Sequence, residues 1–215
     1  MHLDRLAAYL EGGRPPGGRR SYPGCRDPRP PRRCEPATLP GLLYFATESR
    51  VWTGGSAFYD PDGGGRLPCR VHLLTLGQFS DIAAQEMHRA PGRDLDITEA
   101  LRRGRAQLGP GRYETLVCAG HRDGIPVLTF TAPWRCADVP PNAPSAAYLR
   151  HIAAGIVAAH GWSARRTAEY LAGCPGAAGR WSVAEIEELA TEAGHPGPPP
   201  DRAAPADQEE RRRGR

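Results

Sequence analysis

One acidic residue stands out because it lies on the apolar side of a predicted helix. The spacing from Gln78 to His88 predicts a short helix, in which a 100° step per residue brings Phe79, Ile82, Ala83 and Glu86 into one arc, with Met87 at its border. The polar side chains of the helix lie largely on its other side: Ser80, Asp81, Gln85 and His88. We therefore expect Glu86 to be the only charged group on the buried stripe.

A carboxylate in such a place has a defined chemistry. Partial loss of solvent raises the pKa of a carboxyl group toward neutral pH, and such a group can take up and return a proton during a reaction. The alternative is that the helix frays at Pro91, so that Glu86 reaches water or pairs with an arginine. Periodicity alone leaves both interpretations open.

Small residues upstream form a second candidate feature. Gly54, Gly55 and Ser56 lie in the predicted strand Val51–Tyr59, where glycines permit close approach of another backbone or a ligand. Ser56 lacks the Gly-x-Ser-x-Gly context of a nucleophile, and Glu48 in the preceding loop is a reserve carboxylate.

Metal-ligand motifs are absent from the sequence. The six cysteines include no Cys-x-x-Cys pair, and the seven histidines include no His-x3-5-His pair. We therefore predict free thiols and no metal site.

The elements that would position these residues alternate between helices and strands. Apolar spacing, turn residues and capping residues predict helices at Leu3–Leu10, Gln78–His88, Leu95–Leu108, Ser145–His160, Ser163–Leu171 and from Ser182 to Ala193. The predicted strands are Leu42–Thr47, Val51–Tyr59, Cys69–Leu76 and a hairpin of Tyr113–Cys118 with Ile125–Thr131 around Asp123-Gly124. Three strands in succession favour a sheet that curls into a barrel.

The order of these elements resembles the γ-glutamyl cyclotransferase family over residues 40 to 160. The segment Trp52-Thr53-Gly54-Gly55-Ser56-Ala57 resembles the Gly-Gly-small strand of that family, and Phe79 to Glu86 resembles its acidic helix. Downstream, Gly124 to Phe130 and Pro144 to Leu149 resemble a later strand and the helix that follows it.

The resemblance implies an α+β fold with a small mixed β-barrel, surrounding helices and a helical C-terminal region. It implies an enzyme that closes a γ-glutamyl group to 5-oxoproline and releases an amine or amino acid, with Glu86 as general acid and base. Gly54, Gly55 and Ser56 would bind the small γ-glutamyl substrate, and the reaction requires no cofactor. The family opens with an apolar strand ending in Tyr-Gly-Ser-Asn, which this chain lacks, so we expect a degenerate or N-terminally truncated member.

Composition supports a globular core with loose ends. All 28 basic side chains are arginine, and the net charge of +4 is modest, which favours neither nucleic acid nor a membrane as a partner. We expect a cytoplasmic protein with an N-terminal helix and a Pro/Arg-rich, solvated segment at 1–40, a core at 41–160, further helices at 161–195 and a disordered tail at 196–215.

Two other functions stay open. A non-catalytic small-molecule binding protein on the same fold would keep the cavity without turnover. A metal-dependent deacylase or deacetylase is the second alternative, although such sites need a cluster of metal ligands and five of the histidines are scattered singly: His72, His88, His121, His151 and His160.

Overall fold

Helices and strands are mixed along residues 3–14, 20–49 and 51–194, which the computed structural model describes. The helices are α1 (Leu3–Glu11), α2 (Leu76–Glu86), α3 (Thr98–Arg103), α4 (Ala146–His160), α5 (Ala164–Ala172) and α6 (Val183–Gly194). The strands are β1 (Cys34–Pro40), β2 (Leu42–Ala46), β3 (Ser56–Asp60), β4 (Arg66–His72), β5 (Arg105–Gln107), β6 (Thr115–Arg122) and β7 (Ile125–Thr131). The expected α+β class is therefore correct.

The strands form three small antiparallel sheets, not the barrel that the sequence led us to expect. β1 pairs with β4, β2 pairs with β3, and β5, β6 and β7 follow one another in the third sheet. Within the described ranges these sheets do not close on one another, because β4 and β7 each have a strand partner on one side only.

The three C-terminal helices begin and end within one residue of their predicted bounds. The hydroxyl of Ser145 accepts a hydrogen bond at the start of α4, Ser163 does the same for α5, and Gly161 ends α4 in a left-handed conformation. Ser182 and Glu185 form the expected reciprocal pair of bonds ahead of α6. Apolar side chains of these helices make the largest buried cluster, which also contains Phe45 of β2. In the described part of the chain, no helix has both the length and the apolar character that a membrane crossing demands.

The predicted hairpin is also confirmed, whereas the helix predicted at Leu95–Leu108 is confirmed only over Thr98–Arg103. β6 and β7 pair around Asp123-Gly124, with Arg122 opposite Ile125. α3 ends after Arg103 because Gly104 adopts a left-handed conformation with φ of 78°, and β5 then pairs with β6.

The segment before β2 differs from the solvated stretch that its prolines and arginines predicted. β1 forms within it, and its residues alternate between exposed and half-buried along the strand. The irregular residues 20–33 pack against α2, where Gln78 donates hydrogen bonds to the carbonyls of Asp27 and Arg29. Residues 195–215, which include the whole of the predicted tail at 196–215, lie outside the described part.

The polar side of α2 is buried, which corrects the prediction that it faces away from the core. Ser80, Asp81 and Gln85 are fully buried, so Glu86 is not the only charged group inside. The amide of Gln85 donates to the carbonyl of Tyr9 and accepts from the backbone N–H of Gly24. Residues around α2 therefore form hydrogen bonds with its buried polar groups, and the spacing of apolar residues along the helix cannot reveal such bonds.

Asp81 carries the strongest of these contacts. Its carboxylate accepts hydrogen bonds from the backbone N–H of Arg26 at 2.9 Å, from Arg26 Nε at 3.0 Å and from the backbone N–H of Gly92 at 3.0 Å. Burial acts to raise the pKa of Asp81, but these hydrogen bonds outweigh burial, so the pKa lies below its usual value. The folded state therefore favours the ionised carboxyl group.

We expect Asp81→Ala to lower the free energy of unfolding at pH 7 by about 3 kcal/mol, because it leaves buried donors without their acceptor. Asp94→Ala is the matched control, since Asp94 also pairs with Arg26 but is exposed, and it should cost less than about 1 kcal/mol. Because the folded-state pKa of Asp81 is depressed, its stabilisation is present above about pH 4 and is lost as the pH falls. Denaturant unfolding at pH 7 and pH 3 should show the deficit of Asp81→Ala shrinking in acid; equal deficits for the two variants would contradict this role.

Candidate functional site

Glu86 ends α2 and meets Arg5 of α1. Arg5 Nη2 lies 3.4 Å from Glu86 Oε1, and 19 % of the Glu86 side chain is exposed. Burial raises the pKa of Glu86, and the charge of Arg5 opposes that rise without cancelling it. Burial acts to lower the pKa of Arg5, but the attraction of Glu86, together with the electrostatic effects of Tyr22 and Tyr148, outweighs burial and the pKa is raised. The structure thus combines both interpretations of Glu86: the carboxylate is desolvated, and it is paired with an arginine.

Two tyrosines complete this polar group. Tyr113 Oη donates a hydrogen bond to the carbonyl of Ala57 at 3.2 Å. Burial raises the pKa of both Tyr113 and Tyr148, and the charges of Glu86 and Arg5 act on both hydroxyls. The group therefore contains a carboxylate, a guanidinium and two neutral hydroxyls, which suit the binding of a polar or charged ligand group.

Arg5 also lines an apolar cavity of about 520 Å³. The cavity lies between α1, α2, the β1–β4 pair and β7, and its volume is in the range of pockets that hold small ligands. Apolar side chains supply much of the wall, among them Leu6, Leu67, Val71, Phe79, Ile82 and Phe130. Glu86, the predicted catalytic residue, is therefore connected to this cavity by its ion pair with Arg5, which lines the wall.

The charged residues of the cavity are mostly arginines. Glu35 is the acidic residue of the wall, and it binds Arg33 at 3.0 Å and Arg122 at 2.7 Å. Burial lowers the pKa of His72 to about 4, so this imidazole is neutral at pH 7. The wall, with Arg5 and Arg70 also in it, therefore carries a net positive charge.

Arg70 differs from the other arginines of the cavity. Its Nε atom is buried and has no hydrogen-bond partner among the described residues. A buried donor without an acceptor costs about 1 to 3 kcal/mol of stability. Arg70 also lines the cavity, so its guanidinium adds positive charge to the wall, although the Nε atom itself is shielded from solvent.

The residues predicted to bind substrate are held by other parts of the protein. The backbone N–H of Gly54 donates to Glu48 Oε1 at 2.7 Å, and that of Gly55 donates to the carbonyl of Ala143 at 2.7 Å. A Cβ atom on Gly55 would collide with the backbone of Asn142, so glycine is needed here for close packing. Ser56 is buried in β3. Substrate binding by these three residues stays a prediction.

The described residues include no group of three or more His, Cys, Asp or Glu side chains that could hold a metal ion. The cysteines are all free thiols, and Cys174 is buried within the C-terminal helical cluster.

Sequence reasoning missed Arg5 and Arg70. The apolar spacing that predicts α1 gives no indication of Arg5, although Arg5 and Tyr9 are four residues apart and share one face of the helix. Arg70 shares a strand face with His72 and gives no signal of its own, because its importance depends on the missing partner at Nε.

Comparison with known proteins gives one informative similarity. The chain is similar to histone deacetylase 5 of Arabidopsis thaliana, with 29 % identity over 177 residues. The match covers 73 % of this chain and 26 % of that protein, so the chain spans about a quarter of its relative. No family model and no solved structure matches the chain.

This similarity overturns the function that we expected from the sequence. The relative is described as a histone deacetylase, which favours the deacetylase alternative over a cyclotransferase. The expected γ-glutamyl cyclotransferase activity is therefore wrong. The resemblance of fold and the role of Glu86 in proton transfer stay predictions.

We expect Arg5→Gln to raise the pKa of Glu86 further, because burial would then act without the opposing charge of Arg5. The carboxyl-carbon NMR signal of Glu86, assigned by its loss in Glu86→Gln, would report the titration. Arg103→Gln is the matched control, because Arg103 pairs with the exposed Glu99 on α3 and should leave Glu86 unaffected. An unchanged or lowered pKa in Arg5→Gln would contradict the proposed pairing.

Proposed function

We propose that this chain is a ligand-binding module, and that its ligand is an organic anion with an apolar body. The observation that carries the proposal is the apolar cavity whose wall includes the side chains of Arg5 and Arg70 and carries a net positive charge. The apolar wall favours burial of the ligand body, and Arg70 supplies a charge-assisted hydrogen bond to its anionic group.

The Arg5–Glu86 pair adds a second polar contact at the same cavity. Arg5 is shared between the cavity wall and the ion pair, and it also donates to Tyr9 Oη at 3.2 Å. Because Glu86 holds Arg5 in place, the guanidinium is preorganised and loses little side-chain freedom on binding. This arrangement favours recognition and requires no chemical step.

The similarity to a histone deacetylase supports a place for such a module in a larger protein. The matched region is about a quarter of the deacetylase, which is the size of one domain in a protein of several. We propose that this chain and that region share a binding role, which would accompany the deacetylase reaction and not perform it.

The anionic fluorophore anilinonaphthalene sulfonate tests the cavity directly. We expect saturable binding with increased fluorescence, a roughly tenfold loss of affinity in Arg70→Gln, and no loss in Arg66→Gln, which changes an arginine of the same strand outside the cavity wall. Val71→Trp should block binding by filling the cavity, whereas Val51→Trp adds the same ring at an exposed position and should not. Equal affinities across these variants would refute the site.

Deacetylation by the chain itself is the second candidate function, because the similar protein is described as a histone deacetylase. If the binding proposal is correct, the purified chain should release no acetate from an acetylated histone peptide, with or without added Zn²⁺. The measurement is acetate release together with the zinc content by mass spectrometry. If the chain contains stoichiometric zinc and a chelator abolishes its turnover, the binding proposal is wrong and the function is catalysis.

A further inference from the structure

The cavity extends along almost the whole of one strand, so it is long and narrow. Its wall includes every residue of 125–130, all of them in β7, and these residues span about 17 Å. A volume of about 520 Å³ over that length corresponds to a mean cross-section of about 30 Å². A space of this shape suits an extended chain better than a compact ring system.

Aliphatic side chains dominate the wall of the cavity. Twelve of the wall residues are Leu, Ile or Val, whereas four are Phe or Tyr. Two of those rings, Phe79 and Phe130, already pack against each other, with 6.2 Å between their centroids. An aromatic ligand gains affinity from rings that present a face or an edge to it, whereas a hydrocarbon chain gains affinity by burying its methylene groups against any apolar wall. The wall therefore favours an aliphatic ligand body.

One arginine of the wall has a charge that no carboxylate balances within the described residues. The other arginines each have a carboxylate partner, and these pairs are Arg5 with Glu86, Arg33 with Glu35 and Arg122 with Glu35. Arg70 has no such ion pair among the described residues, and it lines the same wall. Its charge attracts an anion in the cavity through space, without a hydrogen bond to the shielded Nε atom. The simplest ligand that combines one negative group with an aliphatic body is a straight-chain carboxylate.

From these features we infer that the cavity binds a straight-chain aliphatic carboxylate, whose hydrocarbon chain lies along β7 and whose negative charge is attracted by Arg70. The inference rests on the proposed function, because it names the ligand class of the same cavity. An extended chain advances about 1.2 Å per bond, so a length of about 17 Å holds roughly fourteen bonds. The longest chain that gains from full burial therefore has about fourteen carbons.

Isothermal titration calorimetry of the full chain with straight-chain carboxylates tests the inference. The ligands are hexanoate, decanoate, tetradecanoate and hexadecanoate, each below the concentration at which it aggregates. We expect one ligand per chain and an affinity that rises by up to about fourfold for each added methylene as far as tetradecanoate. Hexadecanoate should bind no more tightly than tetradecanoate, because its extra carbons remain outside the cavity. The compact aromatic ligand 2-naphthoate should bind at least about tenfold more weakly than decanoate, although the two have similar numbers of carbons.

Methyl decanoate and variants of Arg70 test the role of charge. The ester represents an acyl chain without a free carboxylate, and it should bind at least about fivefold more weakly than decanoate. Arg70→Gln should remove this preference, whereas Arg70→Lys and Arg66→Gln should keep it. Val127→Trp places a larger ring in the wall, so the gain in affinity should end at a shorter chain, whereas the exposed Val51→Trp should not change it.

Affinities that do not rise with chain length, or 2-naphthoate bound as tightly as decanoate, would overturn the aliphatic chain. An unchanged preference for decanoate over its ester in a folded Arg70→Gln would overturn the attraction by Arg70. If anilinonaphthalene sulfonate binds in the cavity but none of the carboxylates binds, this inference fails and the proposed function stands. If neither the fluorophore nor any carboxylate binds, the proposed function itself fails.

Discussion

The buried carboxylate of Asp81 binds an irregular segment to a helix, and much of the described structure depends on that contact. Through Arg26 it fixes residues 20–33 along one side of α2, and through Gly92 it fixes the turn that follows the helix. The segment then leads directly into β1, and β1 holds β4 in register, with Glu35 opposite Val71. One wall of the cavity is therefore positioned by a carboxylate that does not line it.

The contact of Asp81 with Arg26 also explains how α2 is buried on two sides. The polar residues of α2 form hydrogen bonds with the irregular segment. On the other side of the helix, Phe79 and Ile82 line the cavity and Glu86 pairs with Arg5. A helix with one apolar face and one exposed face could not provide this, because one of its sides would have to remain in water. Burial on both sides lets a short helix connect the N-terminal helix with the sheets.

Local sequence signals predicted the elements that local chemistry determines. Ser145, Ser163 and the Ser182–Glu185 pair begin helices, and Asp123-Gly124 makes the hairpin turn, because each depends on atoms within a few residues. The missed features depend on partners distant in sequence: Asp81 needs Arg26, and β1 needs β4. For the site, periodicity identified Glu86 but could not reveal Arg5, 81 residues away, or the open donor of Arg70. The functional expectation failed because short segments in a familiar order do not define an activity.

The edges of β4 and β7 that have no strand partner also affect how copies of this chain interact with one another. Open edges beside apolar surface are a common route by which β-rich proteins associate into aggregates. Here the wall of the cavity beside these edges carries a net positive charge, so the approach of a second copy with the same wall brings like charges together. This repulsion acts against self-association, and it weakens as salt screens the charges.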